Sequence, residues 1–330
     1  MMNTIRWGIL GPGTIAKQFA RGLAALNDHH LVAAGSRDVA RAQAFLDEFA
    51  PKAQAHGSYE ALVNDPNIDA IYVATPHTSH REHAELALRA GKAVLCEKPL
   101  CVNLPQAQAL VAAAKDSGSF LMEAMWTRFL PALEQAMEQV RSGVIGEPRM
   151  LTCDFGFRCG WNPEGRLLNP ALAGGGLLDV GIYTVAMASL VFGHTPSSIN
   201  AQAHIGESGV DEQAAIMLGY DSGQLAVLTS AVRTNTPHSA RIDGTEGRIT
   251  IPSFWRATSY TIERAGSDVE TIQAPHGANG YEYEAAEVGR CLRQGVTESP
   301  RLTHAESLGI MAIMDQARAA VGLHYPCDPT

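Results

Sequence analysis

Near the start of the chain, Arg6-Trp7-Gly8-Ile9-Leu10 reads as an apolar strand. It runs without a spacer into Gly11-Pro12-Gly13-Thr14-Ile15-Ala16 and then into apolar residues at helical spacing, Phe19, Leu23 and Leu26. Strand, glycine turn and helix in that order make the first half of a βαβ unit, which belongs to an open parallel sheet. The first glycine permits the tight turn, the second lets a pyrophosphate approach the backbone, and the small Ala16 lets helix pack closely on strand. The helix N-terminus then faces the anion. Gly11, Gly13, Thr14 and Ile15 are therefore candidate dinucleotide-binding residues.

The alternation continues. Residues 31–35 read as a second strand that ends in Ser36-Arg37-Asp38, with Arg41 on the helix behind it. An acid at such a strand end takes a ribose 2′-hydroxyl, whereas a hydroxyl and arginines suit a 2′-phosphate through charge-assisted hydrogen bonds. Ser36, Arg37 and Arg41 thus favour NADP. NAD stays possible, with Asp38 as the acid if the strand ends one or two residues later. A helix near 58–63 and a strand at 68–74 follow, the latter ending in Thr75-Pro76-His77. Ser79-His80-Arg81-Glu82 has the spacing of a capping box, which predicts a helix running to Gly91. Thr75, Pro76, His77 and His80 fall at the carboxyl end of that strand and are candidate cofactor contacts. The three-residue spacing of His77, His80 and His83 gives no closed ligand set, so no metal is expected.

Val94-Leu95-Cys96-Glu97-Lys98-Pro99-Leu100 is a further apolar strand that delivers an acid and an amine at its carboxyl end and then breaks at a proline. The carboxyl ends of its strands are where an open parallel sheet has its ligand crevice. Lys98 is accordingly the first catalytic candidate, with Glu97 beside it. A helix over 104–114 closed by Gly118 and a strand at 120–123 complete a nucleotide domain of residues 1–123.

Residues 124–330 are patterned differently. After a helix at 133–140, two-residue alternation marks strands at 149–157, 198–204 and 214–220. The last of these turns through Asp221-Ser222-Gly223 into 224–232, and a further hairpin spans 241–251. Two helices lie near 282–293 and 304–321. The expected architecture is an α/β Rossmann domain with a doubly wound parallel sheet, followed by an α+β domain with an open, mostly antiparallel sheet that must cover its apolar face.

With 330 residues, 46% of them hydrophobic and 18% charged, the chain can bury two cores of ordinary size. A formal net charge of -9 without a Lys/Arg cluster argues against a nucleic-acid partner and for a small-molecule substrate. No apolar run approaches the roughly 20 residues of a membrane span, and the first seven residues lack the features of an export signal. The six cysteines include no C-x-x-C pair. A cytoplasmic protein with reduced thiols is expected.

In the second domain, Gly174-Gly175-Gly176 precedes Leu177-Leu178-Asp179-Val180-Gly181-Ile182-Tyr183. Three glycines let the backbone approach a ligand, and a helix behind them sets Asp179 and Tyr183 one turn apart on the same face. A hydride moved to or from nicotinamide must be matched by a proton moved at the substrate oxygen. Lys98 and Tyr183 together meet that need. Bringing a tyrosine from its usual value near 10 toward 7 requires about 4 kcal/mol, and one ammonium about 4 Å away supplies roughly that at an effective dielectric near 20. Lys98 could equally carry the proton itself, with Tyr183 binding the substrate.

In order and spacing, the Gly11 to Ala16 turn, Thr75-Pro76-His77-Thr78-Ser79-His80, Glu97-Lys98-Pro99 and residues 176–183 resemble the Gfo/Idh/MocA oxidoreductase family over nearly the whole chain. Glu123-Ala124-Met125-Trp126-Thr127-Arg128-Phe129, Tyr283-Glu284-Ala285, Cys291-Leu292 and Glu298-Ser299-Pro300 are similar to its branch of dimeric dihydrodiol and NADP-linked D-xylose dehydrogenases. The resemblance implies hydride transfer between NADP(H) and a hydroxyl or carbonyl of a sugar, cyclic polyol or trans-dihydrodiol. It implies Lys98 and Tyr183 as catalytic residues, Glu97 at the cofactor, Asp179 and Arg128 at the substrate, and Trp126 lining the pocket. It also implies a homodimer formed through the open face of the second sheet. The family often has Asn where this chain has His77, and many relatives have His in place of Tyr183. Two rival readings are a non-catalytic NADP-binding sensor and a redox-neutral glycosidase that uses NAD transiently.

Overall fold

The computed structural model describes residues 4–328, and the chain forms two compact units. Of the described residues, the first takes those up to 126 and 277–307, the second 127–276 and those from 308 on. The first unit begins β1 (Ile5–Leu10), α1 (Thr14–Leu23), β2 (His29–Gly35), α2 (Val39–Phe49), β3 (Gln54–His56) and α3 (Tyr59–Val63). It continues β4 (Ala70–Val73), α4 (His80–Arg89), β5 (Ala93–Glu97), α5 (Leu104–Ser117) and β6 (Leu121–Ala124). The sheet order is β3-β2-β1-β4-β5-β6, every pair parallel. Each residue of β4, β5 and β6 is buried, as a parallel sheet covered on both faces requires. The order reverses at β1 and β4, which sets the ligand crevice outside their carboxyl ends.

Local sequence explains most of these boundaries. Asn103 caps α5 by accepting from the Gln106 amide, and Gly118 ends it in the left-handed conformation. The expected capping box of α4 does not form. Residues 77–79 make a 3₁₀ turn, so Ser79 is itself helical rather than extended and its hydroxyl does not cap the helix.

The second unit contains α6 (Pro131–Arg141), β7 (Pro148–Gly156), α7 (Ile182–Phe192), β8 (Ser198–Ile205), β9 (Asp211–Gly219) and β10 (Leu225–Ala231). After these come β11 (Ala240–Gly244), β12 (Gly247–Ile251), β13 (Ser259–Arg264) and β14 (Glu270–Gln273). They build an eight-stranded sheet in the order β14-β13-β12-β11-β7-β10-β9-β8, antiparallel except between β7 and β10. The strands β13 and β14 extend the sheet beyond the expected hairpins. One face packs against α7, and the other leaves Met150, Met217, Leu225 and Val227 exposed.

The stretch Pro170–Phe192, helical in pieces on either side of the glycine turn, is long and apolar enough to cross a membrane by length and composition, contrary to the expectation that no run approached that length. It is mostly buried inside the protein, which is the place of a core helix. The boundary expected near residue 123 falls at Trp126, and the chain also returns to the first unit with α8 (Tyr281–Gln294). This return packs on α1 at Gly22, where any Cβ would stand 2.8 Å from the Glu282 amide nitrogen. Asn279 adds a hydrogen bond to the Gln18 carbonyl at 2.9 Å. The last helix, α9 (His304–Ala320), begins in the first unit and continues in the second.

Candidate active site

In the first unit, Gly11 has φ +87° and lies against β4, where a Cβ would meet the Thr75 methyl at 2.8 Å and the Ala74 carbonyl oxygen at 3.2 Å. A Cβ on Gly13 would meet nothing nearer than 4.0 Å. Gly13 caps α1 without a side-chain hydrogen bond, and no acidic residue stands in the first turn. Open space in front of uncapped amides fits a pyrophosphate. Thr14 is exposed and Ile15 half-buried at this turn.

At the end of β2, Ser36 is buried and Arg37 and Arg41 are exposed. The Asp38 carboxylate accepts from the Ala40 amide at 2.9 Å, capping α2. That group is thereby used on backbone. The Ser36 hydroxyl accepts from the Asp38 amide at 3.3 Å.

After β4, Pro76 is exposed while Thr75 and His77 are buried. His80 is fully buried, its Nε2 at 2.8 Å from the Thr75 carbonyl oxygen and its Nδ1 at 2.7 Å from that of Pro99. Burial outweighs these two contacts and pushes the imidazole down to about 4. The ring lies between the ends of β4 and β5, and in its neutral form it donates to only one of the two carbonyls. His83 of α4, unmarked as a cofactor-side residue by its spacing, reaches the Thr75 hydroxyl at 3.0 Å.

Lys98 is half-buried just past the end of β5, and its peptide bond to Pro99 is cis. Glu97 is held from two sides. Its Oε2 accepts from the Lys98 amide at 3.1 Å, and its Oε1 accepts from the hydroxyl of the fully buried Tyr72. Burial, with the charges of Glu97 and Glu284, pushes the Tyr72 phenol well above its usual value. Glu123 fixes the following turn, accepting from the Leu100 amide at 2.9 Å and the Ser307 hydroxyl at 2.7 Å. Trp126 stacks on Tyr281 of α8, centroids 4.5 Å apart and planes at 14°.

In the second unit, the expected regular helix is modified. Residues Leu177–Gly181 form a π-turn that passes into α7 at Ile182, so Asp179 and Tyr183 straddle a change of helical pitch. Both are 7% exposed. Asp179 makes an ion pair at 2.6 Å with Arg166, a half-exposed residue on the loop after β7 that sequence patterning did not mark. Phe155 at the end of β7 lies 5.4 Å from the Tyr183 ring and stacks on Trp255 at 5.1 Å and 15°. Arg128 is half-buried on a short 3₁₀ turn.

A doubly wound parallel sheet with an uncapped glycine turn at its first helix, joined to an open sheet unit carrying polar groups on a glycine-led helix, defines an NAD(P)-binding oxidoreductase of dehydrogenase type. Residues 5–125 match the model of the oxidoreductase family with an NAD-binding Rossmann fold, and residues 133–250 that of the GFO/IDH/MocA C-terminal domain. The chain belongs to the Gfo/Idh/MocA oxidoreductase family. It is 40% identical to a trans-1,2-dihydrobenzene-1,2-diol dehydrogenase of Mus musculus, over 98% of this chain and 99% of the relative. An aldose-aldose oxidoreductase of Caulobacter crescentus, complexed with glycerol, superimposes with TM-score 0.89 at 27% identity, over 97% of this chain and 98% of that chain. A 3-ketoreductase of Actinomadura kijaniata, in complex with NADP and TDP-benzene, does so with TM-score 0.85 at 29% identity, over the same shares.

Proposed function

We propose that the protein is an NADP-dependent dehydrogenase or reductase acting on a hydroxyl or carbonyl of a sugar, cyclic polyol or trans-dihydrodiol. The observation that carries this reading is Lys98 at the carboxyl end of β5, in the same parallel sheet whose β1 ends in the open phosphate turn. When bound, the cofactor supplies or accepts the hydride. Lys98 and Tyr183 move the matching proton at the substrate oxygen, and a positioned acid or base of this kind contributes roughly 10²–10⁴ in rate. Asp179, oriented by Arg166, accepts a hydrogen bond from a substrate hydroxyl. The Phe155 ring beside Tyr183, itself stacked on Trp255, supports a substrate with a flat, apolar ring face, in keeping with the dihydrodiol substrate in the mouse relative's name. Arg128 and Trp126 belong to the same reading as substrate contacts.

Ser36, Arg37 and Arg41, with Asp38 tied to its own helix, support NADP over NAD. The protein acts in the cytoplasm as a homodimer through the outer face of the eight-stranded sheet, where four apolar side chains are exposed.

A panel of sugars, cyclic polyols and trans-diols, followed by cofactor absorbance with NADP and NAD, tests the whole reading. Turnover of ring-borne vicinal diols with NADP is expected. Tight NADPH binding without turnover of any member would make the protein a sensor, and release of an aryl glycoside's leaving group without net cofactor reduction would make it a glycosidase.

A further inference from the structure

The three glycines ahead of Asp179 are gripped from two sides. Toward the loop that carries Arg166, the Gly174 amide donates to the Asn169 carbonyl at 3.1 Å and the Gly175 amide to the Leu167 carbonyl at 2.9 Å. On another side, the buried Tyr325 hydroxyl donates to the Gly174 carbonyl at 2.6 Å. Asp211, the fully buried first residue of β9, accepts from the Leu177 amide at 2.6 Å through Oδ2. Its Oδ1 finds no hydrogen-bond partner and crowds Gly175, where a Cβ would stand 2.1 Å away. Gly175 has φ +111°, so the close approach and the backbone angle both require glycine there.

The Tyr325 segment is itself braced. The Tyr325 amide donates to Asp328 at 2.9 Å, Arg318 of α9 pairs with Asp328 at 3.1 Å, and the Arg318 guanidinium lies 4.8 Å from the Tyr325 ring centroid. A segment that only needed to pack would be served by Phe at 325 and an apolar side chain at 211, because buried polar groups are costly unless hydrogen-bonded. Here the hydroxyl and the carboxylate are both directed at main-chain atoms of one turn.

We propose that Tyr325 and Asp211 are positioning residues of the active site. They fix the Gly174-Gly175-Gly176 turn, and through it the π-turn that sets Asp179 against Arg166 and starts the helix of Tyr183. Three successive glycines have no side chains to hold their own conformation, so the geometry is imposed from outside. The inference rests on Asp179 being a substrate residue.

The test is a double-mutant cycle between Tyr325→Phe and Asp179→Asn in the full chain, reading kcat and KM for the best substrate of the panel, NADPH affinity and Tm. Tyr325→Phe should lower kcat/KM for substrate roughly ten- to hundredfold, the scale of an ångström-sized misplacement, with NADPH affinity unchanged. In the Asp179→Asn background it should cost almost nothing more, since groups that act through one another are non-additive. Asp211→Asn, which keeps an acceptor for the Leu177 amide, should retain most activity, and Asp211→Leu should fall as Tyr325→Phe does. That pair decides the matter if Tyr325→Phe does not fold. Unchanged kcat/KM in Tyr325→Phe, or equal multiplicative losses in both backgrounds, would overturn the positioning role. Full activity of Asp179→Asn would instead overturn the underlying reading of Asp179.

Discussion

On the proposed reading, the choice between two cofactors comes down to a few side chains at the end of β2. Arg37 stands exposed next to the buried Ser36, and the neighbouring Asp38 carboxylate is tied to the Ala40 amide. A hydrogen bond to a charged group contributes about 1.5–3 kcal/mol. Arg37→Asp should therefore weaken NADP binding roughly ten- to a hundredfold and NAD far less, as read by titration of each cofactor against protein fluorescence. Comparable losses for both would remove Arg37 from the 2′ position. For the proposed proton-transfer pair, Lys98→Met and Tyr183→Phe should each lower turnover by about 10²–10⁴ while the cofactor still binds, and the double variant should be little worse than either single. If Tyr183→Phe turned over normally with an unchanged pH profile, the proton would pass through Lys98 alone.

Among the elements, what was legible in the sequence was what local pattern encodes. The parallel strands announced themselves as apolar runs ending in Ser36, Thr75 and Lys98, and Gly118 closed α5 where capping chemistry places it, although the Asn103 cap at its start went unmarked. Long-range contacts left no such trace. Tyr72 looks like any aromatic in a buried strand, yet its hydroxyl holds Glu97. Arg166 sits in a loop without periodicity, and the π-turn under Asp179 is invisible to a reading that assumes uniform helical pitch. Glu284, in a stretch that resembles the family without a local chemical signature, is a fully buried carboxyl on α8, pushed well above the usual range by burial and by the Glu97 charge. The one element whose start was placed by the wrong device is α4, where a preceding 3₁₀ turn takes Ser79 out of the extended conformation a cap needs. Buried acids at element ends also set a pH dependence. Burial pushes Glu123 on β6 up to about 7 from an ordinary 4.5, and Asp211 likewise to about 7. Between about 4.5 and 7 the folded protein thus holds protons that the unfolded chain has released. The stability these groups contribute is complete below that window and is lost as pH rises through it. Glu123→Gln removes one such titration, so its urea midpoint relative to the parent should climb from pH 4.5 to 7.5. A difference that stayed constant across that range would show Glu123 to be ionised throughout.

Among the described residues, the eight-stranded sheet of the second unit leaves a cluster of apolar side chains exposed on one face. In the eight-stranded sheet Leu225 pairs with Met150 and Val227 with Met217, and Leu225 and Val227 are two residues apart on one strand, so all four side chains emerge on the same face. They are 36–44% exposed, side by side at the centre of the sheet rather than scattered. The opposite face is packed against α7. Contiguous exposed apolar patches of this kind mark association surfaces, and a twofold dimer uses the same patch on both partners. Each substituted residue therefore enters the interface twice, and a single charge is placed there in duplicate. If the proposed dimer forms through this patch, Met217→Lys and, separately, Leu225→Lys should convert it to monomer in analytical ultracentrifugation, with cofactor binding retained because the nucleotide turn lies in the other unit. The parent chain sedimenting as a monomer, or both variants remaining dimeric, would assign the patch to something other than a second copy.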